Sequence, residues 1–271
     1  MTKVIYIADS LYPEYVGGGE LNDYELCQGL SRYYKLEKIK SSSVTEQFLK
    51  NNKNSFVILS NFLLLSKQCY DYILKKMNYI IYEHDHKYLK KRNPAFYENY
   101  KAPKHELSNV QLYKNAKKII CQSGYHKDIV FRNTGLENLL NVSGNLWSID
   151  SLKNLRENSK ILKNDAVSIL NSNNWHKNTK DAVSYCVIKN MKYVLISNPS
   201  YVKFLKQFGE NKKFVFFPKT PETLSRICVE ARMMNMSVVT NSNVGAAHEE
   251  WFKLKGENLI NFMFEKREEI L

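Results

Sequence analysis

No stretch of this chain is long and apolar enough to cross a membrane. The longest apolar run, 56–65, is broken by Ser60 and Asn61, whereas a spanning helix needs about 20 apolar residues in succession. A secretory leader is missing too: Met1-Thr2-Lys3 leads directly into a short apolar strand, so a cytoplasmic location is expected. The 5 cysteines are odd in number, widely spaced and form no Cys-x-x-Cys pair. That argues against a disulfide framework and reads as reduced, buried thiols. Gly-x-Gly-x-x-Gly does not occur, and the one glycine triplet is not followed by the Lys and Ser or Thr of a Walker loop. Both absences count against a nicotinamide oxidoreductase and an ATPase. Low-complexity tracts and internal repeats are missing as well.

What is abundant is positive charge, a formal net of +13. Such a surface favours anionic partners: nucleotide diphosphates, nucleic acid or an acidic membrane. The basic residues are scattered, with small clusters at Lys75-Lys76, 87–92 and Lys117-Lys118. They do not form the extended basic groove of a nucleic-acid reader, and a solvated lysine-rich surface accounts for them equally well.

Short apolar runs alternate with helical patterns, which predicts a parallel α/β architecture. Expected strands lie at 4–8, 36–39, 56–59, 79–82, 118–121 and 139–142, with helices at 20–30, 44–50, 63–75, 106–115 and 125–131 between them. Residues 149–163 are polar and read as a linker. A second alternation follows, with strands at 167–170, 193–196, 214–217 and 237–240 and helices at 179–189, 201–208, 222–234 and 246–252. The expected domains are therefore 1–148 and 164–253, followed by a charged helical tail, 254–271.

The most informative residues are Glu222 and Glu230, separated by seven residues after the apolar run 213–217 and the turn Pro218-Lys219-Thr220-Pro221. On one helix this spacing places both carboxylates about two turns apart on a single face. A helix that opens at the C-terminal end of a strand suits phosphate, and ionised carboxylates beside it suit the hydroxyls of a sugar. Two surface acids on an amphipathic helix are the plainer alternative. Gly17-Gly18-Gly19 follows the first strand and lets backbone approach a ligand, or makes a tight turn. Glu83-His84-Asp85-His86 stands at the end of another strand, where ligands bind in such sheets; zinc ligation and loop histidines bonded to backbone are the other readings. Asp9, Tyr12, Tyr125 and His126 also follow strands, with no pattern that assigns them a role, and His105 reads as a solvated helix start.

The Glu-x7-Glu spacing resembles that of retaining GT-B-fold glycosyltransferases of the group 1, family 4-like kind. The first strand with Gly17-Gly18-Gly19-Glu20 and the stretch Asn243-Val244-Gly245-Ala246-Ala247-His248-Glu249-Glu250 resemble them too. The resemblance implies two Rossmann-like domains facing across a cleft, with the last helix crossing back to the N-terminal domain. It implies transfer of a hexose from a nucleotide diphosphate sugar, UDP favoured and GDP the alternative, to a hydroxyl with retention, without cofactor or bound metal. It gives His84, with His86 second, and Glu222 to the sugar. Lys177 and the amides near Thr223 and Leu224 go to the diphosphate, Glu230 to the ribose, and Gly18 and Gly19 to the donor side of the cleft. The catalytic set is thus His84, Lys177 and Glu222. Two positions depart from the pattern: Ser172 stands where an Arg is usual, with Arg226 the candidate substitute, and Ser225 stands where a glycine is usual. The implied partners are a nucleotide sugar such as UDP-glucose and a sugar or lipid-linked acceptor, with peripheral contact to an anionic membrane. A glucosyltransferase acting on modified DNA bases and a non-catalytic nucleotide-sugar binder are the competing expectations.

Overall fold

The computed structural model describes residues 2–271. The chain divides into two compact units, one running to Val142 and taking in Leu271, the other Ser143–Ile270.

The first unit runs β1 (Lys3–Ala8), α1 (Gly18–Leu30), β2 (Lys35–Lys40), α2 (Glu46–Asn51), β3 (Phe56–Leu59), α3 (Lys67–Lys76), β4 (Asn78–Tyr82), α4 (Val110–Asn115), β5 (Ile119–Cys121), α5 (Gly124–Thr134) and β6 (Leu139–Asn141). Its strands pair in parallel in the order β2-β1-β3-β4-β5-β6. Ile5, Ile7, Val57, Leu59, Ile81, Ile119 and Cys121 make a continuous core from successive strands. Helices α2, α3 and α5 start at a hydroxyl: Thr45 accepts from the Phe48 amide, Ser66 from the Cys69 amide and Ser123 from the His126 amide, pairing donors that the first turn leaves open. Gly135 ends α5 with φ at 66°, a left-handed conformation that glycine adopts without a Cβ clash.

The second unit runs α6 (Ile149–Lys160), β7 (Asn164–Leu170), α7 (Thr179–Ile188), β8 (Tyr193–Ile196), α8 (Tyr201–Gly209), β9 (Asn211–Phe216), α9 (Arg226–Met233), β10 (Ser237–Thr240) and α10 (Gly256–Ile270). Its parallel sheet has the order β10-β9-β7-β8. The strand period decides the layers. Phe214 and Phe216 of β9 face one cluster, with Leu205, Phe208, Met233 and Met263 of the helices. Val215 faces the other, with Val167, Ile169, Ala182 and Cys186.

Residues 149–163, read as a linker, contain α6 within the second unit. Only Leu152 and Leu155 of that helix are buried, and its exposed Arg156 pairs with Glu257 at 2.8 Å, so its sequence is mostly polar. The tail helix α10 packs on α6 and α9. Two further differences concern the expected helices. The segment 222–234 becomes helical only at Arg226, and 246–252 forms two short 3-10 turns, Gly245–His248 and Glu250–Lys253.

The outer strands of the two sheets differ in kind. β2 carries Lys35, Glu37, Lys38 and Lys40, and charge on an edge strand discourages further pairing. β8 reads Tyr-Val-Leu-Ile, with its first three side chains exposed.

Candidate functional site

In the first unit the chemistry gathers at the C-terminal ends of β1, β3, β4 and β5. Gly17 is the N-cap of α1, and Gly18 and Gly19 are its first residues, so the triplet begins a helix directly. A side chain at Gly19 would begin 3.6 Å from Nδ1 of His84, so the ring lies immediately under the helix start. His84 is held at both nitrogens: Nε2 is 2.7 Å from Oδ1 of Asp23, and Nδ1 is 2.6 Å from the Gln122 side-chain amide. Burial opposes protonation of His84, but the Asp23 carboxylate outweighs it and raises the pKa; Asp23 in turn, which burial alone would push up, is lowered by His84.

The neighbours of His84 do different work. Glu83 and Lys87 are buried and paired at 2.9 Å; Lys87 also reaches Asp85 at 2.8 Å, and Arg92 reaches Asp85 at 3.0 Å. Tyr113 donates its hydroxyl to Glu83. Burial works against the Asp85 charge, yet Lys87 overcomes it and brings the carboxyl down to about 2. Lys87, counted in a basic surface cluster from sequence, is therefore an interior charge. His86 has φ at 58° and its Nδ1 meets Tyr88 Oη at 2.8 Å, while its ring stands edge-on to His126 at 5.3 Å. Burial, then the neighbouring histidines, lowers the pKa of His126 far enough to keep it neutral. Among the described residues no group of three or more His, Cys, Asp or Glu is placed to hold a metal ion. Asp9 accepts from the Leu63 and Leu64 amides at 3.2 Å, Tyr12 packs on Tyr24 at 4.8 Å and Tyr125 on Tyr100 at 6.2 Å, and the His105 side chain is exposed.

In the second unit three strand ends are laced together. The Lys219 amide donates to the His176 carbonyl at 2.9 Å, and the Glu222 amide to the Asn243 carbonyl at 2.7 Å. Asn241 and Asn243 both donate to the Pro218 carbonyl. Within this frame Lys177 Nζ lies 2.8 Å from Oε1 of Glu222, with both groups partly open to solvent. Glu222 Oε2 makes no hydrogen bond among the described residues. Trp175, two positions before Lys177, is 51% exposed, and no sequence argument singled it out. Thr223 and Leu224 follow Glu222, and Leu224 is fully buried.

Glu222 and Glu230 do not share a helix. Glu222 forms an extended bridge with Val244, and Ser225, the N-cap of α9, has φ at 73°. A left-handed residue interrupts the helix between the two acids, at the position where the resembled proteins have glycine. Glu230 is buried, and its Oε1 accepts from Arg226 Nε at 2.8 Å, Trp147 Nε1 at 2.9 Å and Tyr201 Oη at 2.5 Å. Its Oε2 makes no bond among the described residues. Arg226 also donates to the Leu146 carbonyl at 2.6 Å and stacks its guanidinium 4.5 Å from the Trp147 ring centre. Its charge is thus engaged inside the unit. Burial, then the Glu230 carboxylate, raises the pKa of Tyr201 and keeps it a donor.

No protein-family model matches the chain, and no curated protein matches it in sequence. Solved structures do match in shape. HepE of Anabaena, determined with UDP and glucose, superposes with a TM-score of 0.54 at 13% identity, covering 91% of this chain and 82% of that one. The fold is GT-B. An alpha-glucosyltransferase determined with UDP and a DNA containing an HMU base gives 0.50 at 10% identity, over 100% of this chain and 90% of its own. A glycosyltransferase of Rickettsia africae gives 0.50 at 11%, over 97% and 86%. Across these GT-B structures the likeness is of fold: two Rossmann-like units with parallel sheets.

Proposed function

We propose that this chain is a glycosyltransferase that moves a hexose from a nucleotide diphosphate sugar, preferably a UDP-sugar, to a hydroxyl acceptor with retention. The observation that carries the reading is the Lys177–Glu222 pair on its laced frame at the ends of β7, β9 and β10. A cation for a leaving diphosphate and a carboxylate for sugar hydroxyls stand side by side where parallel sheets bind ligands. The GT-B neighbours determined with UDP, glucose or UDP-glucose support the choice of donor.

In this reading the bond between the sugar's anomeric carbon and the diphosphate oxygen breaks, and a bond to the acceptor oxygen forms. The acceptor's proton leaves with the diphosphate or to solvent. Lys177 meets the charge building on the leaving group, aided by the amides near Thr223 and Leu224. Glu222 and His84 are assigned to the sugar, Gly18 and Gly19 to backbone approach, and Glu230, through Oε2, to the ribose. Arg226 is assigned to holding Glu230. No step is assigned to a metal or cofactor. No helix among the described residues is long and apolar enough to cross a membrane; a cytoplasmic enzyme that touches an anionic membrane to reach a lipid-linked acceptor is the extension we favour.

The test is a thermal-shift panel of UDP-, GDP- and ADP-sugars, followed by release of nucleoside diphosphate with a panel of sugar and lipid-linked acceptors. A ligand at 100-fold above its Kd adds about 2.7 kcal/mol. Stabilisation by none of the donors would sink the proposal, and binding without product for any acceptor would make the chain a nucleotide-sugar binder. A second reading, glucosylation of modified DNA bases, draws on the net charge of +13 and on the neighbour solved with DNA. Tight binding to modified duplex that weakens steeply with salt favours that reading.

A further inference from the structure

Asp23 attracted no attention in the sequence, yet four elements converge on it and its histidine. It projects from α1, Ser60 at the end of β3 donates to its Oδ2 at 2.5 Å, and His84 beyond β4 meets its Oδ1 at 2.7 Å. Gln122, beyond β5, occupies the far side of the imidazole at 2.6 Å. Both members of the pair are nearly closed off, with side chains 8% and 9% exposed.

A buried carboxylate is tolerated only where donors compensate it. An ionised carboxylate has no proton to give, so the imidazole nitrogen facing it must carry one. In the neutral ring Nε2–H donates to Asp23, and Nδ1 accepts from the Gln122 amide nitrogen. In the imidazolium Nε2–H keeps the same bond, and the Gln122 amide turns over to offer its oxygen to Nδ1–H. We propose that Asp23 is a positioning residue that pins the Nε2 proton of His84 in both charge states. The whole acid–base change of the ring then falls on Nδ1, the nitrogen beside Gly19. That nitrogen accepts a sugar hydroxyl when the ring is neutral and donates when it is charged, in either case in exchange for Gln122.

The groups that surround the ring fit this division. Asp23 favours the charged ring from α1, and on the histidine's own loop Asp85 favours it and Lys87 opposes it. His126 on α5 is neutral, and burial keeps the Tyr6 and Tyr82 hydroxyls protonated. Asp23 is therefore the group whose removal shifts the balance most.

The tautomer and titration of His84 stand independently of the proposed function; only the effect on turnover rests on it. The experiment is ¹⁵N NMR of the histidines through a pH titration, on wild type, Asp23→Asn and Ser60→Ala. Wild type should show His84 with a protonated Nε2 throughout and a titrating Nδ1. Asp23→Asn should lower the pKa of His84 and mix its tautomers, whereas Ser60→Ala, which takes a donor from a carboxylate that stays ionised, should leave it unchanged or raise it slightly. A neutral wild-type ring protonated at Nδ1 overturns the proposal even if Asp23→Asn does not fold, and so does an unchanged His84 titration in a folded Asp23→Asn protein. In turnover, Asp23→Asn should reduce kcat by about tenfold or more, since a histidine that loses the carboxylate fixing its tautomer loses acid–base efficiency, with KM changed far less and the acid limb of the pH profile moved down. A shifted ring with unchanged turnover removes His84 from the reaction while leaving the pairing intact.

Discussion

Removing the Glu230 carboxylate should unsettle the second unit more than any other single change near the site. Glu230→Ala leaves Arg226 charged and 8% exposed, without the carboxylate that compensates it. Breaking a buried pair from one side costs about 3–5 kcal/mol. The Trp147 indole N–H and the Tyr201 hydroxyl lose the same acceptor, for which about 1–3 kcal/mol each is usual. These losses share one small space and do not sum, because water entering it re-pairs some of the donors. The expected total is therefore near the pair value, about 3–5 kcal/mol, against the roughly 5–15 kcal/mol that holds a domain together. In heat denaturation, followed by circular dichroism and indole fluorescence, this corresponds to a fall in Tm of about 10–20 °C. Glu230→Gln keeps an acceptor and should lose less. Arg226→Met with Glu230→Leu removes both charges and should recover most of the stability, since buried pairs are often replaceable by apolar side chains. A loss below about 1 kcal/mol for Glu230→Ala, the worth of an exposed pair, would refute the reasoning. If Oε2 also accepts ribose hydroxyls, the folded Gln variant should lose about 1.5–3 kcal/mol of UDP affinity by calorimetry.

Lys177→Ala should lower kcat by a larger factor than it raises the donor KM, because its contact strengthens as charge builds on the leaving group. A loss of about 3 kcal/mol is a drop of roughly a hundredfold, and wild-type turnover would place the diphosphate elsewhere. Ser225→Gly removes a left-handed strain of about 1–2 kcal/mol at an entropic cost of about 0.5–1 kcal/mol; urea melts should show a neutral or slightly more stable protein, and a clear loss would mean that the serine hydroxyl matters. For pH, the raised pKa of His84 gives stability that is full below its unfolded value of about 6.5 and lost as pH rises through the folded value. The lowered pKa of Asp23 gives stability present above about pH 3.9 and lost as pH falls through its folded value. The Tm difference between wild type and Asp23→Asn should thus be greatest at about pH 4–6.5, and a difference that keeps growing above that range would contradict the pairing.

Most strands were legible because they are short apolar runs closed by polar residues, as Phe56–Leu59 is before Ser60 and Asn61; the charged edge strand β2 offered only Leu36 and Ile39. The helix carrying Glu230 was misplaced at its start, since nothing in the serine at 225 announces a positive φ. The resemblance singled out Lys177 and Glu222, and the fold brings those two together. It also pointed to Arg226 as a spare cation, whereas tertiary packing gives that residue to Glu230. Asp23 was invisible for a different reason. Its partners His84 and Ser60, and the Gln122 that bonds to the far side of His84, lie far off in sequence and meet only when parallel strands bring their ends together. The one local sign was that α1 buries Asn22, Asp23 and Glu25, polar residues where a helix normally turns apolar ones inward.

The open side of β8 has a bearing on how the protein can be handled. Its outer edge has no strand partner in the sheet among the described residues, and Tyr193, Val194 and Leu195 are exposed, so an extended segment that pairs there gains a ladder of bonds and an apolar cover together. The net positive charge slows such encounters at low ionic strength, and added salt removes that protection. The same buffers that weaken adventitious polyanion binding during purification will therefore favour self-association along this edge. A lysine in place of Val194 is the smallest change that separates the two effects.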